Sequence, residues 1–366
     1  MELHKYLQAM VKHEASDLFF SAGAPVGIKI HGKTRFLGEH RLSSAETRQL
    51  AFSILTDKQS TEFEREMELN IALALDRIGR FRVNVFRQRG SVAMVIRHIK
   101  SEIPSIEDLN LPQKLKELVM APRGLVLVVG ATGSGKSTTL ASMIDHRNRT
   151  RSGHILTIED PIEFLHSHQK CIVDQREVGL DTHSYKAALK NAMREAPDVI
   201  LIGEIRDRET MQHAIAYAET GHLCLSTLHA NNANQTLDRI INFFPESAHQ
   251  QLFVDLSLHL QSIISQRLVP SLDNQRAPAV ELLIRTPFVA DLILKSEISG
   301  LKDAMKEGSQ HGMQTFDQSL FQLYKDGKIT AEQALEHADS RNDLGLEIRS
   351  HAGAGEVPND WGLQDA

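Results

Sequence analysis

The sequence is poor in the features by which several classes of protein are recognised. Its 366 residues include two cysteines, Cys171 and Cys224, and no Cys-x-x-Cys motif. We therefore expect neither a disulfide framework nor a zinc ribbon, and we expect both thiols to be small buried side chains. No run reaches the roughly 18 apolar residues of a membrane-spanning helix. The N-terminus lacks the basic and apolar regions of a signal peptide. These features predict a cytoplasmic protein without direct membrane insertion, which reaches a membrane only through a partner.

An excess of positive charge is also missing. Lysine and arginine number 41, aspartate and glutamate number 47, and the net charge is −6. This balance argues against a nucleic-acid partner. Hydrophobic residues make up 41% and charged residues 24%, as in folded proteins rather than disordered ones. The length predicts two domains with additional segments.

The first hundred residues mix helical and strand patterns without a βαβ rhythm. Residues 2–14 have helical apolar spacing, and residues 26–31 and 80–86 alternate apolar with polar side chains. We predict an α+β domain at 1–100 and, because of its prolines and acids, a linker at 101–112.

Beyond the linker the apolar residues form short continuous runs, which are typical of strands buried on both faces of a parallel sheet. Helical patterns separate these runs and predict an α/β domain over 113–350. After Pro245 the pattern predicts an almost wholly helical extension, and 351–366 is expected to be a disordered tail. The runs are Leu125–Val129, His154–Ile158, Val199–Ile202 and His222–Thr227.

The segment Gly130–Ser137 fits G-x-x-x-x-G-K-[ST] between an apolar strand and a helix, the arrangement that binds nucleotide phosphates. A glycine-rich turn that matches by chance is the alternative. Lys136 is expected to contact the β- and γ-phosphates of ATP, and the Ser137 hydroxyl to bind Mg²⁺. The expected nucleotide-binding residues are Gly130, Thr132, Gly133, Ser134, Gly135, Lys136, Ser137 and Thr138.

Acidic residues follow two of the apolar runs. Glu204 ends the run at Val199–Ile202, where ligands bind in open α/β sheets. Glu159, Asp160 and Glu163 follow the preceding run. Each acid is either a catalytic group or a solvated strand end. Arg206 either contacts a neighbouring subunit or pairs with acids on helices.

Arg80 and Arg82 alternate with apolar residues in the first domain. They form either the solvent face of a strand or arginine fingers that stabilise phosphoryl charge.

Four motifs together resemble the signature boxes of the secretion ATPase superfamily, the hexameric motors of type II secretion and type IV pili. They are the Walker A box at Gly130–Ser137, the Asp box at Glu159–Glu163, the Walker B box at Gly203–Asp207, and the His box from Thr220 to Ala230. Ala15–Leu18 is similar to the family's N-terminal PAS-like domain, and His311–Gln318 to the C-terminal helices of its retraction motors.

The resemblance implies a PAS-like α+β domain followed by a RecA-like P-loop NTPase domain with a helical extension, in a homohexamer. It implies that Glu163 polarises the attacking water and that Glu204 serves Mg²⁺ together with Ser137. His222 and His229 would link the γ-phosphate to the subunit contact. Arg80 and Arg82 would reach a nucleotide across the ring.

Within the family the chain resembles the retraction ATPases of the PilT and PilU types. Asp17-Leu18-Phe19 and the segment Gly300–Glu307 are similar to the PilU type. The implied function is an ATP-hydrolysing motor that supports pilus retraction and twitching motility. The implied partners are a PilT-like ATPase and a PilC-like platform protein, with the motor peripheral to the inner membrane through the pilus machinery. A ring helicase or DNA translocase is one alternative. The other is a nucleotide-binding adaptor whose own hydrolysis is dispensable.

Overall fold

The computed structural model describes residues 3–30, 32–75, 78–99, 102–273 and 275–352. They form two compact units. The first comprises Met1–Glu102 with Ile162–Leu165, and the second comprises Ile103–Pro161 with His166–Ala366.

The first unit is built on a six-stranded antiparallel sheet with the order β3-β2-β1-β6-β5-β4. Phe81, Val83 and Val85 on β5 are fully buried, and Arg80 and Arg82, which alternate with them along the strand, lie on the other face. Ser43 begins α2 with a capping box, which fixes that helix start. The strands are β1 (Asp17–Phe20), β2 (Val26–Ile30), β3 (Lys33–Leu37), β4 (Glu68–Leu75), β5 (Gly79–Gln88) and β6 (Ser91–Ile99), and the helices are α1 (Leu3–Lys12), α2 (Ser44–Phe52) and α3 (Asp57–Glu66). The predicted α+β class of this unit is confirmed.

The second unit is built on a seven-stranded sheet with the order β13-β12-β7-β11-β10-β8-β9. All its neighbouring strands are parallel except β12 and β13. Every residue of β7, β10 and β11 is buried, as their continuous apolar runs predict. The strands are β7 (Gly124–Val129), β8 (Gly153–Glu159), β9 (Cys171–Glu177), β10 (Val199–Ile202), β11 (Leu223–Leu228), β12 (Leu260–Pro270) and β13 (Arg276–Ile284). The four predicted runs are all strands of this sheet, which confirms the α/β class.

Helices cover the sheet of the second unit and form its C-terminal extension. They are α4 (Lys114–Val119), α5 (Lys136–Thr150), α6 (Tyr185–Ala192), α7 (Arg208–Glu219), α8 (Ala233–Asn242), α9 (His249–His259), α10 (Pro287–Leu294), α11 (Leu301–Glu307), α12 (Phe316–Lys325), α13 (Ala331–Glu336) and α14 (Arg341–Ala352). Thr315 and Thr330 begin α12 and α13 with capping boxes.

The prediction of an almost wholly helical region after Pro245 is wrong. Strands β12 and β13 form an antiparallel pair of 11 and 9 residues at one side of the sheet. Both strands are largely buried, so their apolar residues run on without the alternation that identifies a half-exposed strand. Periodicity alone does not separate such a run from a buried helix.

Two segments, 101–112 and 351–366, are predicted to lie outside the domains as a linker and a tail. From Ile103 onward the predicted linker is part of the second unit, where Ile106 and Leu111 are buried in the core. The predicted tail overlaps the end of α14 at residues 351–352, and its remainder lies outside the described residues. Cys171 and Cys224 are both buried free thiols, as predicted. Among the described helices, none is both long enough and apolar enough to cross a membrane.

Candidate active site

The loop Gly130–Gly135 connects β7 to α5 and has a backbone that only glycine tolerates at its first position. Gly130 has a φ of 151°, and a Cβ placed there would lie 2.5 Å from the backbone oxygen of Gln266. Gly133 and Gly135 have φ values of 79° and 89°, in the left-handed region. The glycines of the motif therefore allow a tight loop that passes directly against β12.

Lys136 and Ser137 form the first turn of α5, directly after this loop. Nζ of Lys136 donates to the carbonyl oxygens of Gly130 and Ala131, each at 2.9 Å, and so the ammonium group lies across the loop. Ser137 and Thr138 are half-buried. The positive end of α5 and its free N–H groups add to the charge of Lys136, which makes the loop suited to an anionic phosphate group.

The sheet order places three further motifs beside the loop. Strands β7, β11, β10 and β8 are parallel neighbours, so their carboxyl ends lie along one edge of the sheet. The phosphate-binding loop follows β7, His229 follows β11, Glu204 follows β10, and Asp160 follows β8. Residues that are up to a hundred positions apart in sequence thus share this edge.

Glu204 is the central acid of that edge. Its Oε1 lies 3.0 Å from Nε2 of His229, and its Oε2 accepts a hydrogen bond of 2.7 Å from Nε of Arg206. This hydrogen bond raises the pKa of Arg206. The Glu204 side chain is 18% exposed, which leaves it accessible to a small ligand or water. Its carboxylate is thus oriented by two neighbours. Arg206 pairs here with an acid that follows a strand rather than with a helix acid, and its contact to a neighbouring subunit stays a prediction.

The segment after β8 adds a second set of acids. Oγ1 of Thr157 donates to Oε1 of Glu159 at 2.6 Å, and Nη1 of Arg206 lies 3.7 Å from Oδ2 of Asp160. Tyr185 is next to this segment, and burial together with the charge of Asp160 raises the pKa of its phenol. Arg206 therefore joins Asp160, which follows β8, to Glu204, which follows β10.

A cavity of about 660 Å³ is lined on one side by residues Gly130–Ser134 of the phosphate-binding loop. Nη1 of Arg276 is 3.5 Å from the carbonyl oxygen of Gly133 at its wall. Arg267 pairs with Asp339 at 2.8 Å and stacks over the ring of Phe316, 3.8 Å from its centroid. Sequence reasoning missed the cavity residues Asn231, Asn232, Gln235, Gln266, Arg267, Leu268, Arg276, His337 and Asp339.

Recognition of β12 would have supplied a signal for part of this set. Gln266 and Arg267 lie within β12, in the half of the strand that follows the buried residues Ile263 and Ile264.

Several predicted residues lie elsewhere. Glu163 belongs to the segment Ile162–Leu165, which is grouped with the first unit, and Arg80 and Arg82 lie on β5 of that unit. Their roles toward a nucleotide stay predictions. His222 precedes β11 and therefore lies at the opposite end of that strand from His229.

The chemistry of two side chains fits a hard divalent cation. The Ser137 hydroxyl and the Glu204 carboxylate are oxygen donors, and Mg²⁺ in phosphate sites takes few protein ligands beside phosphate oxygens and water. The residues present therefore suit Mg²⁺ held together with a nucleotide.

Comparisons with known proteins show the family to which the chain belongs. Residues 1–325 match the family described as type II/IV secretion system protein. The chain is 54% identical to the type IV pilus ATPase PilU of Pseudomonas aeruginosa, over 95% of this chain and 92% of that protein. It is 42% identical to the type IV pilus retraction ATPase PilT of the same organism, over 92% of this chain and 98% of that protein.

A solved structure of the pilus retraction motor PilT with bound ADP superimposes with a TM-score of 0.87. It has 43% sequence identity and covers 94% of this chain and 99% of its own. The chain therefore belongs to the type II/IV secretion system protein family, and within it to the ATPases of type IV pilus motors.

Proposed function

We propose that this chain is a PilU-type ATPase that works with a PilT-like ATPase to support pilus retraction and twitching motility. It acts as a homohexamer with ATP and Mg²⁺ as its ligands. It docks on a PilC-like platform protein at the cytoplasmic side of the inner membrane. The net charge of −6 argues against a DNA translocase with the same fold.

In this proposal each residue of the site has a separate role toward the nucleotide. Lys136 contacts the β- and γ-phosphates, while backbone N–H groups of residues Gly130–Thr138 surround them. Ser137 and Glu204 would hold Mg²⁺, which when bound would supply positive charge beside the phosphate oxygens. Glu204, oriented by His229 and Arg206, also holds the attacking water in place. Glu163 polarises that water, and Arg80 or Arg82 of a neighbouring subunit adds positive charge across the ring.

One observation supports this proposal above the others. The phosphate-binding loop and Glu204 follow strands β7 and β10, which are separated in the sheet only by β11, and Glu204 is oriented by hydrogen-bonding neighbours on both oxygens. Phosphoryl transfer needs positioning and charge stabilisation more than covalent chemistry, and this arrangement supplies both.

The test is Lys136→Ala, with Lys190→Ala as a matched control at an exposed lysine of α6. We expect Lys136→Ala to remove Mg²⁺-dependent ATP hydrolysis while the circular dichroism spectrum and the oligomeric mass remain unchanged. Lys190→Ala is expected to hydrolyse ATP at the wild-type rate. Retained turnover in Lys136→Ala contradicts the proposal.

The same variant separates a motor from an adaptor. In cells, Lys136→Ala is expected to reduce pilus retraction force as far as deletion of the protein does. Full retraction force in cells with Lys136→Ala assigns the necessary hydrolysis to the PilT-like partner and leaves this chain the role of adaptor.

A further inference from the structure

Glu281 is a buried acid to which no step of the proposed reaction assigns a role. It lies on β13 and is only 1% exposed. Its Oε1 accepts two hydrogen bonds, one of 2.8 Å from the backbone N–H of Ala233 and one of 3.1 Å from the Ser265 hydroxyl. The carboxylate thus connects three separate elements: β13, β12 and the start of α8.

The first connection leads to Glu204. Ala233 is the first residue of α8, and its N–H is one of the groups that a helix leaves without an internal partner. Only three residues separate it from His229, whose Nε2 lies 3.0 Å from Glu204. The segment from His229 to Ala233 therefore begins beside Glu204 and ends at the residue that Glu281 holds.

The second connection leads to the phosphate-binding loop. Ser265 pairs with Glu281 across β12–β13 and with Val129 across β12–β7, and Val129 is the residue before Gly130. The next residue, Gln266, accepts a buried hydrogen bond of 2.7 Å from Thr139 of α5. Its backbone oxygen is so close to Gly130 that a Cβ added at Gly130 would lie 2.5 Å from it. The strand that Glu281 contacts is therefore packed directly against the loop.

The electrostatic surroundings fit a permanent structural role for this carboxyl group. Burial raises the pKa of Glu281, while the Ala233 and Ser265 hydrogen bonds and Arg267 oppose that shift, and Asp339 adds to it. The positive end of α8 lies at the carboxylate, where negative charge is stabilised. A buried acid that loses these donors would be left unsatisfied, so the contact is strongly maintained.

We propose that Glu281 is a positioning residue for ATP hydrolysis, which holds the segment from His229 to α8 at a fixed distance from the phosphate-binding loop. The inference rests on the proposed ATPase function. Glu281 is 1% exposed and contacts Ala233 and Ser265. It acts by keeping His229, and through it Glu204, in the geometry that phosphoryl transfer requires, and small misplacements of such groups lower the rate steeply.

The experiment compares Glu281→Ala with Glu281→Gln. The glutamine amide oxygen can accept both hydrogen bonds, whereas alanine accepts neither. We expect Glu281→Ala to lower kcat about 10- to 100-fold and Glu281→Gln to remain within about 3-fold of wild type. The dissociation constant of a non-hydrolysable ATP analogue is expected to change less than about 3-fold in both, because the loop and Lys136 are intact.

Ser319→Ala is the control for a loss of stability alone. Its hydroxyl lies on α12 and accepts a buried hydrogen bond of 3.0 Å from the N–H of Val280, the neighbour of Glu281 on β13. We expect Ser319→Ala to lower the melting temperature and to keep kcat within about 2-fold of wild type. Equal loss of kcat in Ser319→Ala and Glu281→Ala overturns the proposal, as does equal loss in the alanine and glutamine variants.

Hydrogen–deuterium exchange provides a readout that does not depend on turnover. Peptides that cover residues 229–236 are expected to exchange faster in Glu281→Ala than in wild type and Glu281→Gln. Unchanged exchange in Glu281→Ala overturns the positioning role. A wild-type protein without turnover overturns the proposed ATPase function instead, and the exchange result still decides where Glu281 acts.

Discussion

Oε1 of Glu204 lies 3.0 Å from Nε2 of His229, so the acid that follows β10 and the histidine that follows β11 form one unit. Glu204→Gln keeps the size of the side chain and removes its charge. We expect kcat to fall about 100-fold or more, because the variant lacks the carboxylate that we propose for holding the metal and the water. Binding of a non-hydrolysable ATP analogue is expected to persist, which separates the loss of chemistry from a loss of the site.

His229→Ala tests the other half of this pair. Arg206 still orients the carboxylate through its 2.7 Å hydrogen bond, so a smaller loss of kcat, about 10-fold, is expected. The double variant His229→Ala/Arg206→Gln is expected to approach Glu204→Gln. Unchanged kinetics in the double variant would show that Glu204 needs neither neighbour.

The loop glycines differ in how closely they approach the rest of the second unit, and this difference is measurable. Gly130→Ala places a Cβ 2.5 Å from the Gln266 backbone oxygen at a φ of 151°, so backbone must move. Gly133→Ala has a φ of 79° with nothing within 4 Å. Without nucleotide, we expect the free energy of unfolding to fall by about 2–4 kcal/mol for Gly130→Ala and by about 1–2 kcal/mol for Gly133→Ala.

Urea denaturation of the two single variants gives this comparison directly. Both substitutions lie in one loop and add one methyl group, so each is the control for the other. Equal loss of stability would mean that the contact between the loop and β12 contributes nothing beyond backbone strain.

The sequence predicts the motif-bearing half of the site because its signals are local. Gly130–Ser137 carries its own loop geometry, and Glu204 closes a run of buried apolar residues that is recognisable as a strand. The rest of the site depends on contacts across long stretches of chain. Thr139 and Gln266 are hydrogen-bonded at a separation of 127 residues, and Glu281 contacts Ala233 across 48.

Gln266 lies on β12 and Glu281 on β13. Because both strands are largely buried, their sequences lack the alternation of apolar and polar residues that identifies a strand. Once they are taken for helices, no local pattern places either residue beside the loop. The contact of Arg206 with Asp160 likewise depends on the adjacency of β8 and β10 in the sheet and not on residues next to Arg206 in the sequence.

His166 makes the stability of the protein depend on pH in a predictable direction. Its Nδ1 is buried and has no hydrogen-bond partner among the described residues. Burial lowers the pKa of the ring to about 4, partly offset by Asp145. Between pH 6.5 and 4 the unfolded chain therefore binds a proton that the native protein does not, and stability falls as the pH falls. From pH 7 to pH 5 this single group lowers the free energy of unfolding by about 2 kcal/mol.

His166→Phe removes the titrating ring and keeps a planar side chain in the same space. Urea denaturation at pH 7 and pH 5 is expected to show a pH-dependent loss smaller by about 2 kcal/mol in this variant than in wild type. His183→Gln, at an exposed histidine of the same unit, is expected to keep the wild-type pH dependence. If His166→Phe loses as much stability between the two pH values as wild type does, the ring is protonated in the native protein at pH 5, and its burial does not determine its charge.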